Sequence, residues 1–252
     1  MFYDSHCHLD MLSKPELAQA LTCAKKKGVG EMISCSTSFA SNERNLEIAT
    51  LHSEVKAALG LYPIDALGFN EEQLTRAFDF FKKNIARKEV AAVGEVGLDY
   101  KLCVNKEEQE KQVRLFRKFI ALSNESKKPI VVHSRFAQRQ ALTILSEEGA
   151  KKVLLHSFTD SSKLMKQTLE SNFFISVGMN LLRDEEVQKR IASFPLDHLL
   201  FETDSPIRFG EEKALPESVL LVAEKVAQLK NLPLAEAESA QEKNFRKLFG
   251  SK

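Results

Sequence analysis

Short, near-continuous apolar runs alternate along the chain with longer amphipathic stretches. The runs occupy residues 2–3, 31–36, 55–61, 90–93, 130–133, 153–156, 173–177 and 199–201. They read as near-continuous instead of alternating, which is how parallel strands buried on both faces read. The segments between them have helical character, as at 14–27, 71–86, 106–127, 136–148, 161–170 and 184–193. In the second of these, Leu74, Phe78, Phe81 and Ile85 recur at spacings of four, three and four; in the third, Val113, Phe116, Ile120 and Ser123 share a face. Such helices present one side to a core. Repeated strand–helix alternation predicts a parallel sheet, and eight units allow it to close. The expected fold is therefore α/β, a single TIM-type (β/α)8 barrel. An open doubly wound sheet is disfavoured, because its first strand normally feeds a glycine-rich phosphate loop and the turn here, SHCHLD, has no glycine. Segments 217–229 and 234–249 read as the eighth barrel helix and an extra C-terminal helix across the outside. No repeat or linker interrupts the chain, so residues 1–252 are expected to form one domain.

Composition narrows the function classes. A chain of 252 residues suits one barrel. Its formal net charge of +1 gives little long-range steering toward a polyanion, so a nucleic-acid substrate has to be gripped locally. The N-terminus has no basic stretch leading into an apolar run, and no apolar stretch is long enough to span a bilayer; a cytoplasmic enzyme without membrane partners is expected. Cys7, Cys23, Cys35 and Cys103 are scattered without CxxC spacing and read as reduced thiols. Nothing demands a second subunit, and a monomer is compatible with the pattern.

In a TIM barrel, functional side chains stand where strands end and βα loops begin. The first strand is followed by His6 and His8 and the fourth by Glu95; the fifth ends in His133, the sixth ends in His156, and the eighth is followed by Asp204. His52 and His198 precede the third and eighth strands and belong to the opposite face. His6 and His8, two apart on an extended chain, point the same way. Several ionisable groups in one barrel mouth need a partner charge, and metal ions supply it. Imidazole-rich ligation favours Zn, Mn, Fe or Ni over Mg, and two ions per chain bridged by the Glu95 carboxylate would suit in-line attack on a phosphodiester. Arg135 is a candidate phosphate clamp. Glu202 shares the parity of Asp204 and is expected to point inward. Asp99 reads as a turn or cap residue. Phe158 and Tyr100 read as packed loop aromatics, and Lys101, Lys106 and Lys111 as solvated helix positions.

DSHCHLD, GEVGLDY, HSRFA, LHSF and ETDSP, in this order over residues 4–206, resemble the TatD-type metal-dependent deoxyribonucleases of the amidohydrolase superfamily. The resemblance implies a (β/α)8 barrel and hydrolysis of DNA ends or single strands, commonly as a 3′–5′ exonuclease. It implies one metal on His6, His8, Glu95 and Asp204 and another on Glu95, His133 and His156, with Asp204 orienting or deprotonating the attacking water. Two departures stand out. Family members often carry a histidine where this chain has Tyr62, after Gly60-Leu61, so Tyr62 becomes a candidate substrate contact. The basic run that often follows the last motif is replaced here by the acidic pair Glu211 and Glu212. Competing readings are a binuclear amidohydrolase acting on a small amide, lactone or ester, which usually bridges its metals with a carbamylated lysine where Glu95 stands, a mononuclear deaminase-like enzyme, and a catalytically silent binding module.

Overall fold

The computed structural model describes residues 1–209 and 212–250. Gly210 and Glu211 lie outside them, so the expectation of an acidic rim there falls outside the described residues. Eight parallel strands alternate with helices, and their order in the sheet follows chain order, β1 to β8. This is the (β/α)8 architecture that the apolar runs announce. The chain divides into two compact units, Met1–Ser34 with Ser157–Lys252, and Cys35–His156.

The first unit holds β1 (Phe2–Cys7), α1 (Lys14–Lys26), β2 (Val29–Cys35, whose last residue falls in the other unit), α6 (Ser162–Glu170), β7 (Phe174–Val177), α7 (Glu185–Ser193), β8 (Leu199–Phe201), α8 (Val219–Lys230) and α9 (Leu234–Phe249). Within it β1 pairs with β2 and β7 with β8, in parallel. A two-residue antiparallel pair, Arg208–Phe209 with Glu212–Lys213, follows β8. The C-terminal helix α9 docks on β1 and β8 through Phe245, whose ring lies 4.6 Å from that of Tyr3. Its Asn244 Nδ2 donates to the carbonyls of Leu196 and Leu199, 2.8 Å each, where β8 begins. These bonds satisfy buried carbonyls that a purely apolar helix would leave unpaired. His198 lies in the same region, with Nδ1 3.0 Å from the Phe173 carbonyl, on the face the sequence assigned to it.

The second unit holds α2 (Phe39–Leu51), β3 (Val55–Leu59), α3 (Glu71–Asn84), β4 (Val90–Asp99), α4 (Lys106–Ser126), β5 (Ile130–Arg135), α5 (Gln138–Glu147) and β6 (Val153–Leu155). Its four strands pair in parallel, β3 to β6. Helix starts follow side-chain chemistry: Asn70 Oδ1 accepts from Gln73 N on α3, and Asn105 Oδ1 from Glu107 N on α4. Helix α2 is the one the apolar pattern marks least, because its buried face includes Asn42 and Asn45. Asn42 clasps Gly60 through both backbone groups, Nδ2 to O at 2.7 Å and N to Oδ1 at 3.0 Å. The buried face of α4 is wider than the sequence suggested, taking in Leu115, Phe119 and Leu122 as well as Phe116 and Ile120, with Val113 toward its edge.

Two boundaries differ in a way that matters for the site. Strand β4 runs ten residues, all buried, so Glu95 and Asp99 stand within it instead of in a following loop. Its two glycines and two carboxylates look like loop chemistry, yet Val96 and Leu98 keep the strand buried. Gly97 is required there: it has φ +137°, and a Cβ at this position would fall 2.0 Å from the His133 carbonyl oxygen on β5. Helix α5 begins at Gln138 and not at Phe136, because Phe136 adopts φ +59° in a turn closed by Ala137 N to Ser134 O at 3.1 Å.

Candidate metal centre

The first unit gathers His6, His8 and Asp204. His6 lies within β1 and His8 just beyond it, and both are buried. Asp204 follows β8 in a left-handed conformation, φ +55°, which is uncommon for a non-glycine residue and recurs at functional sites. Two backbone hydrogen bonds join the segments: Asp204 N donates to the His6 carbonyl at 3.0 Å, and His8 N to the Ser205 carbonyl at 2.6 Å. Buried Asp4 adds a third tie, accepting from Thr203 N at 3.0 Å and Thr203 Oγ1 at 2.5 Å. Burial pushes the Asp4 carboxyl well up, with the bonds from Thr203 working against it. As a result His6 Nε2, His8 Nε2 and Asp204 Oδ1 converge, with separations of 3.2 Å between the imidazoles and 3.4 and 3.2 Å to the carboxylate. Burial alone would raise the Asp204 carboxyl, but the two imidazoles outweigh it and hold it far below the usual carboxylate range.

The second unit gathers Glu95, His133 and His156. Glu95 Oε1 lies 2.9 Å from both His133 Nδ1 and His156 Nε2, and the two nitrogens are 3.1 Å apart. On the far side of the His133 ring, Nε2 is 3.0 Å from Asp99 Oδ2 and 3.2 Å from the Tyr62 hydroxyl. Tyr62 donates to the same Asp99 oxygen at 2.6 Å. The other oxygen, Oδ1, accepts from the backbone of Lys101 and Leu102, 3.0 Å each. Burial would raise Asp99, yet His133, Tyr62 and the backbone donors together hold its carboxyl well below the ordinary value. Burial and the Asp99 carboxylate drive the Tyr62 phenol strongly upward, so it remains a hydrogen-bond donor. Burial works to lower His133, but Asp99 and Glu95 hold it above its ordinary value.

Each triad suits a cation. Metal–nitrogen bonds of about 2.0–2.1 Å place neighbouring ligand atoms roughly 2.9 Å apart in an octahedron and roughly 3.4 Å apart in a tetrahedron. The six separations above, 2.9–3.4 Å, span that interval. When the neutral His133 ring donates its Nε2–H to Asp99, the Nδ1 lone pair is left facing the other two candidate ligand atoms, an orientation a metal-ligating histidine needs. The described residues offer Glu95, His133 and His156 as one metal-holding group.

The remaining candidates lie outside the two triads. Arg135 ends β5, exposed, and its charge reaches the Tyr62 hydroxyl. Tyr62 turns its hydroxyl onto Asp99 and His133. Asp99 does cap the turn after β4, but it also contacts the His133 ring, which the sequence does not reveal. The signal was present in the parity of Glu95, Gly97 and Asp99 along one strand. Glu202 is fully buried and accepts from Ser176 Oγ. Phe158 is buried, and the Tyr100 hydroxyl donates to Gln140 at 2.9 Å, so both are packed as expected. Cys7, Cys23, Cys35 and Cys103 take part in no disulfide.

Comparison with known proteins agrees with this chemistry. Residues 3–250 match the family described as TatD related DNase. A metal-dependent hydrolase of Bacillus subtilis, YabD, is 33% identical, the alignment covering 99% of each chain. The human deoxyribonuclease TATDN3 is 29% identical over 98% of this chain and 93% of its own. Among solved structures, the TatD homolog YJJV of Escherichia coli superposes with a TM-score of 0.89 at 26% identity, covering 100% of this chain and 98% of the other. Dihydroorotase from Campylobacter jejuni, 12% identical with a TM-score of 0.64, shares the fold alone. The chain belongs to the TatD related DNase family and is a metal-dependent hydrolase with the TIM-type (β/α)8 fold.

Proposed function

We propose that this hydrolase cleaves phosphodiester bonds in DNA, acting in the cytoplasm on single-stranded or frayed ends and removing nucleotides in the 3′–5′ direction with two divalent ions. The observation that carries the reading is the pair of triads, one in each unit, whose ligand atoms are spaced for a cation. A bound divalent ion supplies Lewis acidity and a water acidic enough to attack near neutral pH. The chain's own groups do the rest. His6, His8 and Asp204 hold one position, and Glu95, His133 and His156 the other. Asp204 orients the attacking water and takes its proton. Asp99 fixes the His133 ring, and Tyr62 fixes Asp99. Arg135, exposed at the end of β5, meets the phosphate of the incoming strand. Glu95 in the place of a bridging lysine favours phosphodiester over cyclic-amide chemistry.

The test is digestion of a 5′-labelled single strand by the metal-loaded enzyme. Stepwise shortening with release of mononucleotides is the expected result, with Asp204→Asn reducing the rate by orders of magnitude. An intact strand under conditions where a small amide or lactone is turned over would overturn the reading.

A further inference from the structure

Beside the second triad stands an aromatic side chain that folding does not account for. Phe136 is 69% exposed, three residues after His133. Its φ of +59° falls at the third position of the Ser134–Ala137 turn, a place that normally takes glycine or asparagine. For a bulky side chain this conformation is a genuine outlier. Exposure and backbone conformation both disfavour phenylalanine here, and neither is offset by core packing. The surroundings are cationic. Lys101 Nζ lies over the ring at 5.2 Å from its centroid, and Arg135 and Arg139 are exposed on either side in the sequence. The turn after β4, which carries Lys101, is tied to this loop by Tyr100 N donating to the Arg135 carbonyl at 2.9 Å. Leu102 (62% exposed) and Val104 (87%) extend the apolar surface on that same segment. Consecutive Cα atoms are about 3.8 Å apart, so Phe136 Cα lies within about 11 Å of that of His133.

We propose that Phe136 is a stacking platform for an unpaired nucleobase of the substrate strand, with Lys101 and Arg135 taking the adjoining phosphates. The proposal rests on the phosphodiesterase reading above and deepens it by assigning a base-binding position. A largely exposed ring with an ammonium over it, a short reach from His133, matches a single strand, which offers an exposed π face and an anionic backbone at every residue. A duplex interior hides its base faces. The site therefore supplies the local grip that a net charge of +1 cannot supply at long range. Stacking is tolerant of base identity, so the position selects for unpaired structure and not for sequence.

Equilibrium binding separates this from the alternatives. Fluorescein-labelled oligothymidylate and a matched strand of abasic residues are titrated with wild type, Phe136→Ala and Phe136→Trp, in chelator so that nothing is cleaved. Circular dichroism checks that each variant is folded. Phe136→Ala should weaken oligothymidylate binding about 5- to 150-fold, the range of base–aromatic stacking. The abasic strand should change less than about two-fold, and Phe136→Trp should restore the affinity. Equal losses on both strands, or affinity within two-fold of wild type, overturn the platform. A dimer that Phe136→Ala dissolves, with DNA affinity untouched, assigns the ring to a second copy of the chain and also overturns it. Hydrolysis by the metal-loaded wild type is measured alongside. Cleavage with unchanged Phe136→Ala binding removes this inference alone, whereas absence of cleavage removes the phosphodiesterase reading.

Discussion

Replacing Asp99 with asparagine alters one heavy atom of the protein and should reverse the tautomer of His133, a proposed metal ligand. Asp99 accepts four hydrogen bonds, two at Oδ1 from the Lys101 and Leu102 backbone and two at Oδ2 from Tyr62 and His133. An asparagine that keeps its oxygen on the two backbone donors turns its amino group toward His133 Nε2, so an N–H would face an N–H. The flipped amide faces the two backbone donors instead and does worse. His133 escapes by moving its proton to Nδ1, the atom 2.9 Å from Glu95 Oε1 and 3.1 Å from His156 Nε2. A protonated Nδ1 has no lone pair for a cation. Loss of a carboxylate behind a metal-ligating histidine typically costs 10- to 100-fold in metal affinity, about 1.4–2.7 kcal/mol. Calorimetric titration of chelator-treated Asp99→Asn with Mn²⁺ measures it directly. Tyr62→Phe is the control. It removes one donor from Asp99 and leaves the bond to His133, so metal affinity should stay within about three-fold while stability falls by about 1.5–3 kcal/mol, the value of a hydrogen bond to a charged group. An Asp99→Asn protein that binds metal within two-fold of wild type refutes the argument.

Other outcomes follow from the same geometry. The sequence reading makes Glu95 a bridge: His133→Ala should then keep close to one tight ion per chain, whereas Glu95→Ala should hold both ions weakly, and two tight ions in Glu95→Ala would exclude the bridge. Gly97→Ala should be destabilised by about 2–6 kcal/mol, combining overpacking against the His133 carbonyl with a backbone conformation alien to alanine; a chemical-denaturation midpoint equal to wild type would contradict this. A linear single strand should be digested far faster than a closed single-stranded circle, since an end has to enter the site; rapid cutting of the circle speaks against an exonuclease.

The fold was legible because its signal is repeated. Eight apolar runs and the helices between them outweigh any error at one boundary, and six ligand-type residues at the ends of five strands point to one reading. What escaped was local. Glu95 and Asp99 were placed beyond a strand that in fact contains them, since glycine and carboxylate ordinarily punctuate strands and nothing in one sequence reveals that Gly97 is there to admit the His133 carbonyl. Asp99 was read as a cap because its turn role is visible in sequence while its contact with His133 depends on the pairing of β4 with β5. Asp4 was passed over although it shares the parity of His6 and His8, because its partner, Thr203, is 199 residues away. Periodicity counts Phe136 into α5 because it cannot report a positive φ.

If catalysis depends on divalent ions held by these side chains, protein stripped with chelator, its loss of metal proven by elemental analysis, should no longer hydrolyse single-stranded DNA. Adding back Mn²⁺ should restore activity in the wild type, but in His133→Ala or Asp204→Asn to no more than a small fraction of the wild-type rate. Full activity in protein shown to be free of metal would rule out this dependence.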